Sequence, residues 1–182
     1  MNRVMLFFFI VCGCQDFSMP KQKAYFAHKF NIPSYKEFSN DCYKFQINSD
    51  AEIIYNFMCN ATINYKKLKA DLYISNIEFT KNIKLLKNDF DQKILDNSRN
   101  VSEINASEFN DNDNKVYGLY YSFIGNAPSN IQFYITDSIS NFTTGSLYFK
   151  TKPNYDSLLP SITYVKNDIK KCLRHLNGNK YC

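Results

Sequence analysis

The chain has 182 residues, room for one domain and little for a second. Hydrophobic residues make up 45% of it and aromatic residues 16%, ample for a packed core and too much for a disordered chain. The net charge of +5 is scattered, at Lys66, Lys67 and Lys69 and again at Lys166, Lys170, Lys171 and Arg174, with acidic residues between most of the cations. Nucleic-acid binders gather such charge into a stripe with aromatic platforms, so that class is disfavoured and a solvated basic surface near an anionic membrane is expected.

The first segment reads as an export signal. Arg3 supplies a short charged start, and Val4 to Val11 is an unbroken apolar run. A bilayer-spanning helix needs about 20 apolar residues, so this run has the length of a signal-peptide core instead. It ends in Val11-Cys12-Gly13-Cys14, followed by polar Gln15 and Asp16. An apolar residue three before a cysteine and a small one just before it form the lipobox of bacterial lipoprotein signals. The thiol forms a thioether with diacylglycerol, and the peptidase that cuts before it admits only a small residue. Cys12 departs from the small or hydroxylated residues usual at its position. The competing readings are an ordinary secretory signal and a retained N-terminal strand. Lipid attachment at Cys14 is the expectation, with residues 1–13 as signal peptide and 14–40 as lipidated cysteine and tether, broken by Pro20 and Pro33.

A single domain is expected over residues 41–182. Cys42 to Ile47 reads as a strand, Ile53 to Ile63 as a second apolar run, and Leu68 to Ile74 alternates with period two. Ile83, Leu86, Phe90 and Ile94 then recur at three and four residues, which predicts an amphipathic helix over 80–96 capped by Thr80. Residues 97–114 are polar, with room for a short strand. Asp111 and Asp113 have the spacing that opens a calcium loop, but no glycine or bidentate glutamate follows, so a solvated turn is expected. Lys115 to Ile124, Ile131 to Thr136 and Ser146 to Lys150 read as three strands. Turn-forming segments 125–129 and 137–145 join them into an antiparallel meander. A last helix carries Leu158, Ile162, Val165, Ile169, Cys172 and Leu176 as one stripe. Residues 153–157 cap it, Pro160 falls in its first turn, and Gly178 ends it. The expected architecture is α+β: one antiparallel sheet with two main helices packed on it.

Catalytic and metal signatures were sought along the same chain. Only His28 and His175 are available as imidazole bases, one in the tether and one at the end of the last helix. Neither Asp137-Ser138 nor Asp156-Ser157 has a base in sequence reach, and there is no nucleophile elbow or phosphate-cradling glycine loop. These pairs read as a hairpin cap and a helix cap, so no catalytic residue, metal or cofactor is expected. The cysteines of the mature domain, Cys42, Cys59, Cys172 and Cys182, match no zinc spacing. An oxidising compartment permits any of three disulfide pairings, and buried free thiols fit Cys42, Cys59 and Cys172 equally well. Four Asn-x-Ser/Thr acceptors, beginning at Asn60, Asn100, Asn105 and Asn141, are expected by chance in so asparagine-rich a chain. They would carry meaning for a secreted eukaryotic glycoprotein.

Several ordered blocks carry a family resemblance. Lys115-Val-Tyr-Gly-Leu-Tyr-Tyr121, Gly125-Asn126, Gln132-Phe-Tyr-Ile-Thr-Asp-Ser138, Gly145-Ser-Leu-Tyr-Phe149 and Lys152-Pro-Asn-Tyr-Asp-Ser-Leu158 closely resemble the gliding-motility lipoprotein GldD of Bacteroidetes. Met19-Pro-Lys-Gln-Lys-Ala-Tyr25 and the strand from Cys42 to Ile47 resemble it more loosely. The resemblance implies a non-enzymatic, periplasm-facing envelope lipoprotein needed for gliding motility and the associated type IX protein secretion. Its partners would be other envelope proteins of those machineries, with no nucleic acid. The order of strands, helix, meander and terminal helix is also similar to the PsbP/Mog1-like sandwich. One departure stands out: family members tend to end the last helix with Trp, and Leu176-Asn-Gly-Asn-Lys-Tyr-Cys182 has none. Gly125, Asn126, Asp137, Ser138, Asn154, Asp156 and Ser157 are the loop residues expected to shape the fold or its interaction surface. Two rival readings are a periplasmic ligand-binding module, which needs a deep apolar pocket, and a hydrolase depending on His175.

Overall fold

Period-two segments and their turns build the centre of the structure, a computed structural model in which residues 29–39, 44–56, 59–80, 82–113, 115–152 and 154–174 are described. The expected signal segment, Cys14, His28, Cys42, His175, Gly178 and Cys182 lie outside these residues.

Seven strands form one antiparallel sheet. In chain order they are β3 (Glu52–Tyr55), β4 (Ala61–Tyr65), β5 (Ala70–Glu78), β6 (Val101–Asp111), β7 (Val116–Gly125), β8 (Ile131–Thr136) and β9 (Asn141–Phe149). Their spatial order is β3-β4-β5-β9-β8-β7-β6. The expected meander is therefore the half formed by β7, β8 and β9, in register Tyr120↔Phe133 and Phe133↔Gly145. The run from Ile53 to Ile63 is a hairpin, pairing Ile53 with Ile63. A second, two-stranded ribbon joins β1 (Tyr35–Ser39) to β2 (Lys44–Asn48), pairing Phe38 with Phe45. The expected single sheet is thus one large sheet and a small ribbon, and ordered structure starts before residue 41.

Because neighbouring residues of a strand face opposite sides, the sheet supports two cores. On one face, Ile63, Leu72, Phe133, Ile135 and Leu147 pack with Ile162, Val165, Ile169 and Cys172 of α2 (Tyr155–Arg174), and Phe45 and Ile47 of the ribbon close this layer. On the other, Phe123, Tyr134 and Phe142 pack with Phe90 and Ile94 of α1 (Ile83–Asn97). Each such large apolar side chain contributes about 1.5–3 kcal/mol on burial. Gly145 makes room for one of them. A Cβ there would lie 2.1 Å from Phe133 Cζ, so the ring occupies the space of the missing side chain across the strand pair.

Four local expectations change. Residues 97–114 hold an eleven-residue strand, β6, which is an exposed edge with Glu103 and Glu108 along it. Charge of this kind discourages edge-to-edge pairing. β9 begins at Asn141 instead of Ser146, which shortens the connection after β8 to residues 137–140. The residue before α1 is Asn82, in the left-handed region at φ 74 and without a side-chain cap bond, so Thr80 is not its cap. Pro160 lies inside α2, beyond its first turn. Cys59 is disulfide-bonded, whereas Cys172 is a buried free thiol.

Candidate functional site

The expected loop residues separate into two groups at opposite ends of the sheet. Gly125 ends β7 where β8 begins, while Asp137 and Ser138 follow the far end of β8, whose Ile135 and Thr136 pair with the first residues of β7.

At the first end, Gly125 takes φ 126 where β7 runs out beside Val101, and a Cβ there would sit 3.0 Å from the Val101 Cα. The turn it opens exposes Asn126, whose Oδ1 accepts the Tyr155 N–H at 2.9 Å. Asn154 accepts at its own Oδ1 from Ser157 N–H at 3.4 Å, and its carbonyl accepts the Ser157 hydroxyl at 3.0 Å. Two asparagines from separate loops thus satisfy the amide donors that every helix start leaves unpaired. Asp156, in the same first turn, suits the positive pole of the helix. Gly125, Asn126, Asn154, Asp156 and Ser157 therefore form one assembly that seats α2.

At the other end, Asp137 organises the hairpin between β8 and β9. Its Oδ1 accepts the N–H groups of Ile139, Ser140 and Asn141, each at 2.9 Å. Its Oδ2 accepts the Ser140 hydroxyl at 2.7 Å and the Asn141 amide at 2.9 Å. Burial pushes this carboxyl up, but the bonds from Asn141, Ser140 and Ile139 outweigh it and hold the group well below the usual carboxylate range. Ser138 takes φ 64, and its N–H donates to Thr136 Oγ1 at 2.9 Å. A carboxylate with five donors and so little affinity for a proton is a loop clamp and a poor base.

A third polar group escaped the sequence reading. Asp168, 3% exposed on the inner side of α2, accepts from Tyr35 Oη at 2.8 Å and from Asn48 Nδ2 at 2.8 Å, and Tyr65 completes its shell. Asn48 Nδ2 also donates to Tyr164 Oη at 2.8 Å. Burial raises the Asp168 carboxyl above its ordinary value, against the opposing pull of these hydrogen bonds. Burial likewise raises the hydroxyls of Tyr35 and Tyr65, Asp168 adding to both, and takes the Cys172 thiol up to about 12. The cluster ties the ribbon and β4 to α2. A signal was present in the sequence: Asp168 falls three residues after Val165 and four before Cys172, inside the apolar stripe, where a carboxylate needs buried donors.

Beside the cluster, Lys29, Phe30, Asn31, Tyr65, Leu68 and Tyr164 line a cavity of about 50 Å³, with the Phe30 and Tyr164 rings stacked at 4.9 Å. Small-molecule pockets run to roughly 300–1,000 Å³, so this one offers no seat for a metabolite. Among the described residues no group of three or more metal-ligating side chains converges, and no helix is long and apolar enough to cross a membrane.

The fold and these assemblies define a small α+β domain in which Asp137, Asp168, Asn126 and Asn154 hold its own loops and layers in place. The family model for the gliding motility lipoprotein GldD matches residues 15–177, and the chain belongs to that family. Membership associates it with gliding motility and with the cell envelope, anchored to a membrane as a lipoprotein. Among curated proteins no significant match is found. Among solved structures, the solution structure of cyanobacterial PsbP (CyanoP) from Synechocystis sp. PCC 6803 is similar in outline. The identity is 12%, the match covers 80% of this chain and 95% of that one, and the TM-score is 0.44.

Proposed function

We propose that the chain is a non-catalytic accessory lipoprotein, held by lipid on Cys14 at the periplasmic side of the envelope, where it organises protein partners of the gliding machinery and the associated type IX secretion apparatus. The observation that carries this reading is the family match over residues 15–177, which begins immediately after the lipobox cysteine. In this reading residues 1–13 are removed as signal peptide, a short linker follows Cys14, and the α+β domain faces the periplasm. The disposition of the polar groups supports a scaffold over a catalyst. Asp137 is saturated by donors, Asp168 is buried among tyrosines, and the helix-start assembly is built of asparagines, glycine, serine and one exposed carboxylate, Asp156, at the positive pole of α2.

The two loop groups then serve as surface-shaping elements, with Asn126, Asn154, Asp156 and Ser138 exposed on them. The test is affinity purification of the tagged protein from its own envelope after mild cross-linking. Co-recovery of motility or secretion components is expected. Recovery of the bait without any of them, from cells that glide, contradicts the proposal.

A further inference from the structure

We infer that one corner of the domain, formed by residues 29–33, Lys36 and the 3₁₀ turn Lys66–Leu68 with Lys69, docks on the anionic headgroup layer of the bilayer that anchors the chain; this rests on the lipid anchor proposed above. Three segments distant in sequence are brought together there. Asn31 Nδ2 and Lys67 Nζ both donate to Asp50 Oδ2 at 3.0 Å, Lys66 Nζ reaches Glu52 Oε1 at 2.7 Å, and Lys36 Nζ reaches the Ala51 carbonyl at 3.4 Å. Five exposed cations, Lys29, Lys36, Lys66, Lys67 and Lys69, thus face two carboxylates, Asp50 and Glu52. Among the described residues, Lys29 and Lys69 have no acidic partner.

The turn presents its cations from a fixed backbone. Lys69 sits in the left-handed region at φ 50, its N–H donates to the Lys66 carbonyl at 3.2 Å, and its own carbonyl accepts the Lys150 N–H at 2.7 Å. Among these cations stands Ile32, 95% exposed and followed by exposed Pro33. An exposed apolar side chain next to Asn31, which shares Asp50 with Lys67, matches the layered chemistry of a membrane interface. The apolar tip enters the acyl boundary, while the lysine stems lie along it and the ammonium groups stay among phosphates.

Chain length and charge both select this corner. Fourteen residues separate Cys14 from Lys29, a span of at most about 50 Å, so the lipid and the corner are joined by the shortest stretch of chain available. The opposite end of β5 and β9 lacks this character. Ile139 is also well exposed there, at 72%, but it stands beside the Asp137 carboxylate and near Glu78, which an anionic surface repels.

The chain contains no Trp, so one introduced indole reports its own environment. Full-length lipidated Ile32→Trp protein is purified from the host envelope and reconstituted into vesicles of phosphatidylcholine and phosphatidylglycerol. Flotation first reports the anchor. The indole emission is then expected to shift to the blue and to be quenched by brominated acyl chains, while Ile139→Trp protein in the same vesicles shows neither effect. Both effects should be lost in pure phosphatidylcholine, and when Lys66→Glu, Lys67→Glu and Lys69→Glu are added to Ile32→Trp. Protein that floats with its Ile32→Trp indole still in water overturns the docking surface alone. Equal quenching at both positions overturns it too, since the domain then lies on the bilayer without preferred orientation. Protein that fails to float overturns the anchor, and the docking surface falls with it.

Discussion

Replacing Asp168 by Ala removes the acceptor on which the ribbon, β4 and α2 converge. Tyr35 is partly exposed and can turn its hydroxyl to water, so it loses little. Tyr65, 5% exposed, and Asn48, 2% exposed, cannot. A buried donor stripped of its partner costs about 1–3 kcal/mol, so two of them imply a loss of roughly 2–6 kcal/mol. Relief from burying a carboxylate to which no cation is bonded among the described residues moves the total toward the lower part of that range. Against a domain stability of about 5–15 kcal/mol the loss is large. The assay is urea unfolding followed by tyrosine fluorescence and far-UV circular dichroism, together with hydrogen exchange at residues 35–39, which should lose protection before the central sheet does.

The same residue sets a pH signature. Its carboxyl is raised in the folded state, so the folded form holds the proton more tightly than the unfolded chain does. The associated stability is full below the ordinary carboxyl value of about 3.9 and is lost as pH rises through the higher folded value. An Asp168→Asn variant should flatten that limb and lose less stability than Asp168→Ala, because one oxygen still accepts. Alanine and wild-type proteins unfolding at the same urea concentration would refute the reasoning.

Asp137→Ala should cost about 1–2 kcal/mol in the same assay, less than five lost bonds suggest, since the loop is open enough for water to replace them. Its depressed carboxyl gives the opposite pH sense: the stabilisation is present above about pH 3.9, fades as pH falls, and should be absent from acid titrations of the variant. Gly145→Ala forces the buried Phe133 ring out of its place across the strand pair and should cost about 1–3 kcal/mol in calorimetry. Cys172 should resist alkylation at pH 8 in the native protein and react on unfolding, as peptide mass analysis will show, because burial takes its thiol up to about 12.

The parts of the fold legible in the sequence are those whose pattern is imposed by one buried face. Leu119, Tyr121 and Phe123 turn toward α1, Phe133 and Ile135 toward α2, and the strands they define fall where the alternation puts them. The α2 stripe is legible for the same reason. β6 is not, because it lies at an edge with most of its side chains in water; its extended form comes from the hydrogen-bond ladder with β7, which leaves no hydrophobic period behind. Half of the ribbon was legible, as the strand read from Cys42 to Ile47; its partner β1 was hidden differently, because Tyr35 and Asn48 are polar residues recruited by a carboxylate more than a hundred positions away. Turn chemistry was legible at Asp137, whereas the helix cap read at Asp156-Ser157 is supplied instead by Asn126 and Asn154, which accept the first amides of α2. That the loop residues divide between two ends of the sheet follows from strand order, which composition and spacing do not carry.

Intact-mass analysis of the protein from its native envelope decides whether the domain is tied to a bilayer through a thioether at residue 14, as proposed above. A chain that starts at Cys14 and carries diacylglycerol is expected, together with an envelope-bound pool that becomes free in a Cys14→Ser variant. A chain that begins at Met1, or one trimmed elsewhere and bearing no fatty groups, would contradict it.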